Sequence, residues 1–191
     1  MRWLTLYARS RQVPASLAAL VISAAAVWAL SRLGDGRPGD PRLPALVLAA
    51  GAMALSIGLS GQDPALDRTA AIRWVHRRAA HVLLAGAAVG TVLLTVQSTG
   101  GSMASTAFVV RDSAGLMGLG ALGAAFSGGQ YAWTLPFAWL LFSFVAPPAT
   151  SAPMRVATWM LLPPGTAVAT WTALVITLVG TTAYAVAGPR R

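Results

Sequence analysis

Few side chains in this sequence are of a type that could carry out chemistry, and they are densest in one short stretch. Asp67–Arg78 reads Asp-Arg-Thr-Ala-Ala-Ile-Arg-Trp-Val-His-Arg-Arg and is the densest run of charge in the chain. The adjacent pair Arg111–Asp112 interrupts an otherwise apolar run. The chain contains no Glu, Lys or Cys, which excludes paired-glutamate proteolysis, thiolate chemistry and a P-loop on this chain.

The two histidines, His76 and His81, are five residues apart. That spacing does not bring two imidazoles to one face of a helix, so we favour two interfacial histidines at a cytoplasmic boundary over the alternative, a metal site. The Gly100–Ser102 run has no matching base at a plausible depth. The sequence therefore predicts no catalytic residue, no metal site and no enzymatic activity on this chain.

The composition is typical of an integral membrane protein. Of the 191 residues, 56% are hydrophobic and 10% are charged, and the mean hydropathy is +0.65, whereas about a quarter of the residues in a soluble domain are charged. The net charge of +9 comes from arginines in short loops between apolar runs, as the positive-inside rule expects. We therefore predict no nucleic-acid binding.

The apolar runs predict an all-α protein with six transmembrane helices in a single domain of residues 1–191. The predicted spans are residues 14–30, 44–59, 79–96, 106–127, 130–146 and 166–187. Pro136 is expected to kink the fifth span. Met154–Leu162 is apolar but too short to span, and we expect it to dip into the outer interface. Arg2–Gln12 is predicted to be an interfacial helix, the alternative being an ordinary positively charged N-terminus.

The distribution of arginine predicts the orientation of these spans in the plasma (inner) membrane. With both termini cytoplasmic, nine arginines lie inside and five outside, which is the arrangement that the positive-inside rule favours. The inner arginines are Arg2, Arg9, Arg11, Arg68, Arg73, Arg77, Arg78, Arg190 and Arg191, and the outer ones are Arg32, Arg37, Arg42, Arg111 and Arg155.

Glycines in the third and fourth predicted spans predict close helix packing. Small residues let membrane helices approach each other, although glycine is also simply common in such helices. The third span carries a GxxxG pair, and the fourth repeats glycine along its length; the residues are Gly86, Gly90, Gly115, Gly118, Gly120 and Gly123.

The basic segment Asp67–Arg78 is predicted to be a short amphipathic helix at the cytoplasmic surface. Asp67 can cap it, while Ile72 and Val75 share one face and Arg73 and Arg77 another. The arginines can serve as a docking surface or can merely hold the loop on the cytoplasmic side. We favour docking, because holding the loop on the cytoplasmic side requires only the arginines and does not explain the apolar side chains of Trp74 and Ile72.

The order of these parts resembles the membrane subunit of type-2 ABC transporters, the exporter-like permease class. The resemblance covers nearly the whole chain: an interfacial N-terminal helix, six spans, a basic segment between spans two and three, and a short apolar segment between spans five and six. The stretch Arg111–Gly118, Arg-Asp-Ser-Ala-Gly-Leu-Met-Gly, is similar to actinobacterial permeases of this class.

The resemblance implies roles for particular segments. In that family a coupling helix in the loop between spans two and three docks on a separate ATPase subunit, and the connection between spans five and six re-enters the outer leaflet. In this chain the coupling helix would be residues 67–78, and the re-entrant connection would be residues 148–164. Arg2–Gln12 would be the N-terminal connecting helix of the family. The implied docking residues are Asp67, Arg68, Ile72, Arg73, Trp74, Val75, Arg77 and Arg78.

The function implied by the resemblance is a permease subunit of an ATP-driven transporter, exporting a hydrophobic or amphipathic compound. ATP and Mg would be bound by the partner ABC ATPase, with no cofactor on this chain. A second permease subunit, identical or paralogous, and membrane lipids would be its other partners. The alternative is a non-transporting membrane scaffold, assembly or immunity subunit, which would have no ATPase partner and no pathway between subunits.

Overall fold

A computed structural model describes residues 40–60, 74–100 and 103–190, together with the isolated positions Ala18, Val21 and Ala25. The described part is all-helical and contains no strand. The helices are α1 (Arg42–Ser56), α2 (Trp74–Gly100), α3 (Thr106–Ser127), α4 (Thr134–Val145), α5 (Ala152–Ala157) and α6 (Ala167–Ala187). Short 3-10 turns follow α1, α3 and α5 at Ile57–Leu59, Gly129–Tyr131 and Trp159–Leu161.

Three of the described helices are long and apolar enough to cross a membrane by length and composition: Arg42–Leu59, Trp74–Ser98 and Ala167–Ala187. These three helices are compatible with a membrane protein. α3 is long but carries Arg111 and Asp112, and α4 has only 12 residues. A helix of that length rises about 18 Å, less than the roughly 30 Å of a bilayer core.

α3 is the central helix, because most of its residues between Phe108 and Ala125 are buried, with Val110 exposed. Its glycines meet different neighbours: Gly115 meets the Trp159 ring, Gly118 the backbone of α6, Gly120 the Ser56 side chain, and Gly123 the backbone at Ala132. From α2, Gly86 and Gly90 face Ser113 and its neighbours on α3. Close helix approach thus explains why small residues alternate with Leu and Met along α3.

The helix ends gather into two groups. At one end, called here the basic end, the Tyr184 hydroxyl of α6 donates to the Leu59 carbonyl oxygen at 2.8 Å, and the Arg190 amide donates to the Ala124 carbonyl oxygen at 3.1 Å. The first turn of α2 joins this end, because the Arg78 guanidinium lies beside Gly188. The opposite end holds the N-terminus of α1, the α2–α3 connection and residues 147–166.

Two boundaries differ from those that the sequence predicts. The basic residues from Trp74 to Arg78 are continuous with the apolar part of α2, because nothing in Trp-Val-His-Arg-Arg breaks a helix. Pro136 does not kink a longer helix, since α4 begins at Thr134 and Pro136 lies in its first turn, where its missing amide costs no helical hydrogen bond. Arg2–Gln12 and all but three residues of the first predicted span lie outside the described residues.

Candidate functional site

The described part of the predicted docking segment is the first turn of α2. Asp67, Arg68, Ile72 and Arg73 lie outside the described residues, whereas Trp74, Val75, Arg77 and Arg78 lie within them. The Arg77 guanidinium carbon is 5.7 Å from the centroid of the Trp74 ring, a cation–π geometry. Val75 and Arg77 are both exposed, and the cation of Arg77 lies beside the half-buried Trp74, three residues earlier on the helix.

The C-terminal residues support the same end of the bundle. Arg190 lies against the end of α3, where its main-chain amide bonds to Ala124 and its guanidinium reaches the Phe126 carbonyl oxygen at 3.5 Å. Arg78 lies against Gly188, where the guanidinium occupies the space that a Cβ would need. Cations from α2 and from the C-terminal residues therefore share one end of the protein, which suits an anionic or acidic partner.

A buried ion pair occupies α3 near its N-terminal end. Arg111 Nε donates to Asp112 Oδ1 at 2.7 Å, and neither side chain is more than 6% exposed. Arg111 also donates from its two terminal nitrogens to the carbonyl oxygens of Leu162 at 3.0 Å and Pro163 at 3.2 Å. Its guanidinium carbon lies 5.0 Å from the centroid of the Phe108 ring. The cation is thereby compensated from several directions, as a buried charge must be.

The segment 147–166 folds back over α3 instead of looping away from it. Trp159 and Met160 are fully buried, and the Trp159 ring fills the space above Gly115 that any side chain there would need. The indole Nε1 of Trp139 on α4 donates to the Ala157 carbonyl oxygen at 2.7 Å. Arg111, Gly115 and Trp139 together thus hold this segment against the bundle.

The Arg111–Asp112 pair is suited to positioning and not to acid–base chemistry. Asp112 Oδ2 is buried without a hydrogen-bond partner. Apart from Arg111, the buried polar side chains among the described residues carry hydroxyls, as Ser113 and Tyr184 do, or an indole, as Trp159 does. No second carboxylate or imidazole is buried with Asp112 in that part of the chain. No group of three His, Asp or Glu among the described residues could hold a metal ion.

A groove of about 320 Å³, called here the α2–α3 groove, opens between the two helices. Its described lining runs from Val82 to Leu94 on α2 and from Val110 to Met117 on α3, with Thr177 of α6 closing one side. The lining is aliphatic except for three hydroxyl side chains. Gly86 and Gly90 lie in this groove, so the GxxxG pair shapes a recess as well as a helix contact.

Sequence reasoning missed the partners of Arg111 and the role of Trp159. A charged pair within an apolar run signals that partners must exist. Those partners are main-chain carbonyls 51 and 52 residues further along the chain, and main-chain atoms carry no sequence signal. For Trp159, the available signal was Gly115, since a glycine in a helix can mark a large side chain packed against it.

Comparison of the chain with protein-family models, with curated proteins and with solved structures gives no match.

Proposed function

We propose that this protein is the membrane subunit of an ATP-driven transporter of the type-2 ABC class, with ATP hydrolysis on a separate subunit. Its own part is to transmit motion from that ATPase through the segment that leads into α2. A second permease subunit, identical or paralogous, completes the pathway. The basic end, which holds Arg77, Arg78 and Arg190, faces the cytoplasm, and six spans, an even number, put the N-terminus on the same side.

The observation that carries this proposal is the separation of two segments. The basic turn that begins α2 and the folded-back segment 147–166 lie at opposite ends of the same bundle. The resemblance assigns these two segments to opposite sides of the membrane, one as the ATPase contact and the other as the piece that re-enters the outer leaflet. Arg111, through its bonds to Leu162 and Pro163, holds the second segment in the bundle.

The proposed cargo is hydrophobic or amphipathic. Among the described residues, the buried polar side chains other than the Arg111–Asp112 pair are Ser and Thr hydroxyls, the Tyr184 hydroxyl and the Trp159 indole. Several of the Ser and Thr hydroxyls donate to main-chain carbonyls, as Ser143 does to Trp139 at 2.9 Å. A protein interior of this kind offers little to a strongly polar solute, which would lose its hydration on entry.

The proposal is tested by purifying the tagged protein in mild detergent from its native host and identifying its partners by mass spectrometry. We expect a P-loop ATPase to co-purify with the unaltered protein and to be lost from an Arg77→Glu variant. Arg155→Glu is the matched control, because it reverses an exposed arginine at the opposite end. Equal melting temperatures for the two variants would show that folding is not the cause.

The competing function, a non-transporting scaffold, predicts a different result from the same purification. The protein would run alone, or with a membrane partner but no ATPase. If the ATPase instead co-purified equally with Arg77→Glu and with the unaltered protein, the α2 turn would not be the docking site. The transporter function would then require that the ATPase contacts another part of the chain.

A further inference from the structure

In a bilayer that α2 crosses, the α2–α3 groove would lie at the depth of the hydrocarbon core. α2 runs over Trp74–Gly100, and its part of the lining, residues 82–94, occupies the middle of the helix. Those residues rise about 18 Å, which fits within a hydrocarbon core of roughly 30 Å. The groove therefore opens sideways into the apolar region of a bilayer and not toward water at either end.

The shape of the groove comes from small residues on its floor and larger ones on its rim. A Cβ on Gly86 would lie 3.5 Å from the Ser113 carbonyl oxygen, and one on Gly90 would lie 3.1 Å from Ser113 Oγ. The helices therefore nearly touch where those glycines lie. Leu83 and Val110 stand at the opening and are 55% and 57% exposed.

The chemistry of the described lining selects an apolar occupant. It contains no charged side chain. Two of its three hydroxyls already donate to main-chain oxygens of their own helices: Ser113 to Val110 at 3.2 Å and Thr177 to Ala173 at 2.7 Å. A polar ligand would lose its hydration here and gain few hydrogen bonds in return.

The size of the groove selects a hydrocarbon chain over a helix. A cavity of about 150 Å³ lined by aliphatic side chains holds one benzene ring, so 320 Å³ accommodates roughly twice as many carbons. One turn of helix, about 10 Å across and 5.4 Å high, fills roughly 420 Å³ and exceeds the whole groove. A helix could cover the opening but could not enter it.

We propose that the α2–α3 groove holds one acyl chain of a membrane phospholipid. The chain enters past Leu83 and Val110 and lies over Gly86 and Gly90. Phospholipid is the occupant because the groove opens into the bilayer, where acyl chains are the surrounding solvent. This site does not depend on an ATPase partner, so its test and the test of the transporter function can fail separately.

The first measurement is native mass spectrometry of protein purified from phosphatidylcholine vesicles. We expect one phospholipid to stay bound to the unaltered protein and to be lost from Ala87→Phe, which places a ring in the groove. Ala80→Phe is the control, since Ala80 is exposed on the same helix outside the lining. No retained lipid in the unaltered protein, or equal retention in both variants, would overturn the proposal.

The second measurement uses the unaltered protein, so it does not depend on whether a variant of the groove folds. Vesicles containing phosphatidylcholine with a diazirine at mid-chain are illuminated, and the adducts are mapped. We expect adducts concentrated between Leu83 and Thr91 and between Val110 and Ala114. Adducts no denser there than on the exposed face of α6, at Trp171 and Leu178, would indicate only the lipid that surrounds any membrane protein.

Two other occupants are distinguished by cysteine cross-linking in this cysteine-free chain. A disulfide between copies carrying Thr91→Cys would place a second copy over the groove. An intramolecular disulfide in a Leu83→Cys/Ala19→Cys protein, whose two cysteines lie at similar depths in their predicted spans, would place the first predicted span there. Either product in high yield would overturn the proposal, and absence of both is the expected result.

Discussion

Arg111 donates a hydrogen bond to the main-chain oxygen of Leu162 at 3.0 Å, and the two residues are 51 positions apart. This bond joins the central helix α3 to the segment 147–166, which would otherwise be held mainly by Trp159 and Trp139. A side chain on the first part of the fourth predicted span thus fixes the connection between the fifth and sixth. Arg111, the one buried cation among the described residues, thus holds these two elements together.

Removing the Arg111 cation should destabilise the protein strongly. Arg111→Leu leaves the Asp112 carboxylate buried and uncompensated, and breaking a buried ion pair in this way costs about 3–5 kcal/mol. The double variant Arg111→Leu/Asp112→Leu removes both charges and should regain a substantial part of that loss. Unfolding in detergent, followed by tryptophan fluorescence, measures both, with the exposed Arg155→Leu as control. Equal losses in the single and double variants would contradict an ion-pair role.

The contact between α3 and α6 should tolerate no side chain at Gly180. A Cβ there would overlap the carbonyl oxygen of Gly118, which is main chain and cannot rotate away. We expect Gly180→Ala to cost at least about 3 kcal/mol, the upper range for overpacking. Gly86→Ala is the matched control, because its Cβ would meet neighbours at 3.5–3.6 Å, an ordinary contact. Similar melting temperatures for the two variants would show that this packing is looser than described.

The Tyr184 hydroxyl should stabilise the basic end by joining α6 to α1. It donates to the Leu59 carbonyl oxygen at 2.8 Å, and Tyr184 is 2% exposed. Tyr184→Phe removes the donor and leaves a buried acceptor, which we expect to lower the free energy of unfolding by about 1 kcal/mol. Tyr131→Phe, at a half-exposed ring, should have no measurable effect. The prediction fails if the two variants melt together.

The orientation of the bundle can be tested with single cysteines, because the natural chain has none. Arg77 and Arg155 are both exposed and lie at opposite ends. A membrane-impermeant maleimide should label Arg155→Cys in intact cells and should label Arg77→Cys only after permeabilisation, as the positive-inside rule requires. Labelling of Arg77→Cys in intact cells would place the basic end outside and remove the ATPase contact from the account.

The ends of two helices could be predicted closely from the sequence. The predicted range 106–127 coincides with α3, and 166–187 differs from α6 by one residue, because Ser105 is a recognisable helix start signal and Gly188 a recognisable stop signal beside apolar runs. α4 could not be delimited in this way. Its upstream part, Gly129–Tyr131, forms a 3-10 turn that packs against Ser60, and this contact with a residue far away in the sequence has no local signal.

The candidate site was predictable only in part. The charge of Arg77 and the bulk of Trp74 identify a surface turn, since cations and an aromatic ring beside an apolar run are a local pattern. The α2–α3 groove was not predictable. Gly86 and Gly90 indicate that two helices approach closely, but they do not indicate the recess that Leu83 and Val110 border. Three-dimensional packing of α2 on α3 creates that space, and no single stretch of sequence contains it.

Site-specific photo-cross-linking in the native host tests the central claim most directly. A photoreactive phenylalanine analogue replaces Trp74 at the start of α2, and in a second strain it replaces Arg155 at the opposite end. The account predicts an adduct with a P-loop ATPase from position 74 and none from position 155. If inserted and folded protein gave no ATPase adduct from position 74, this result would contradict the claim that the first turn of α2 contacts the ATPase subunit.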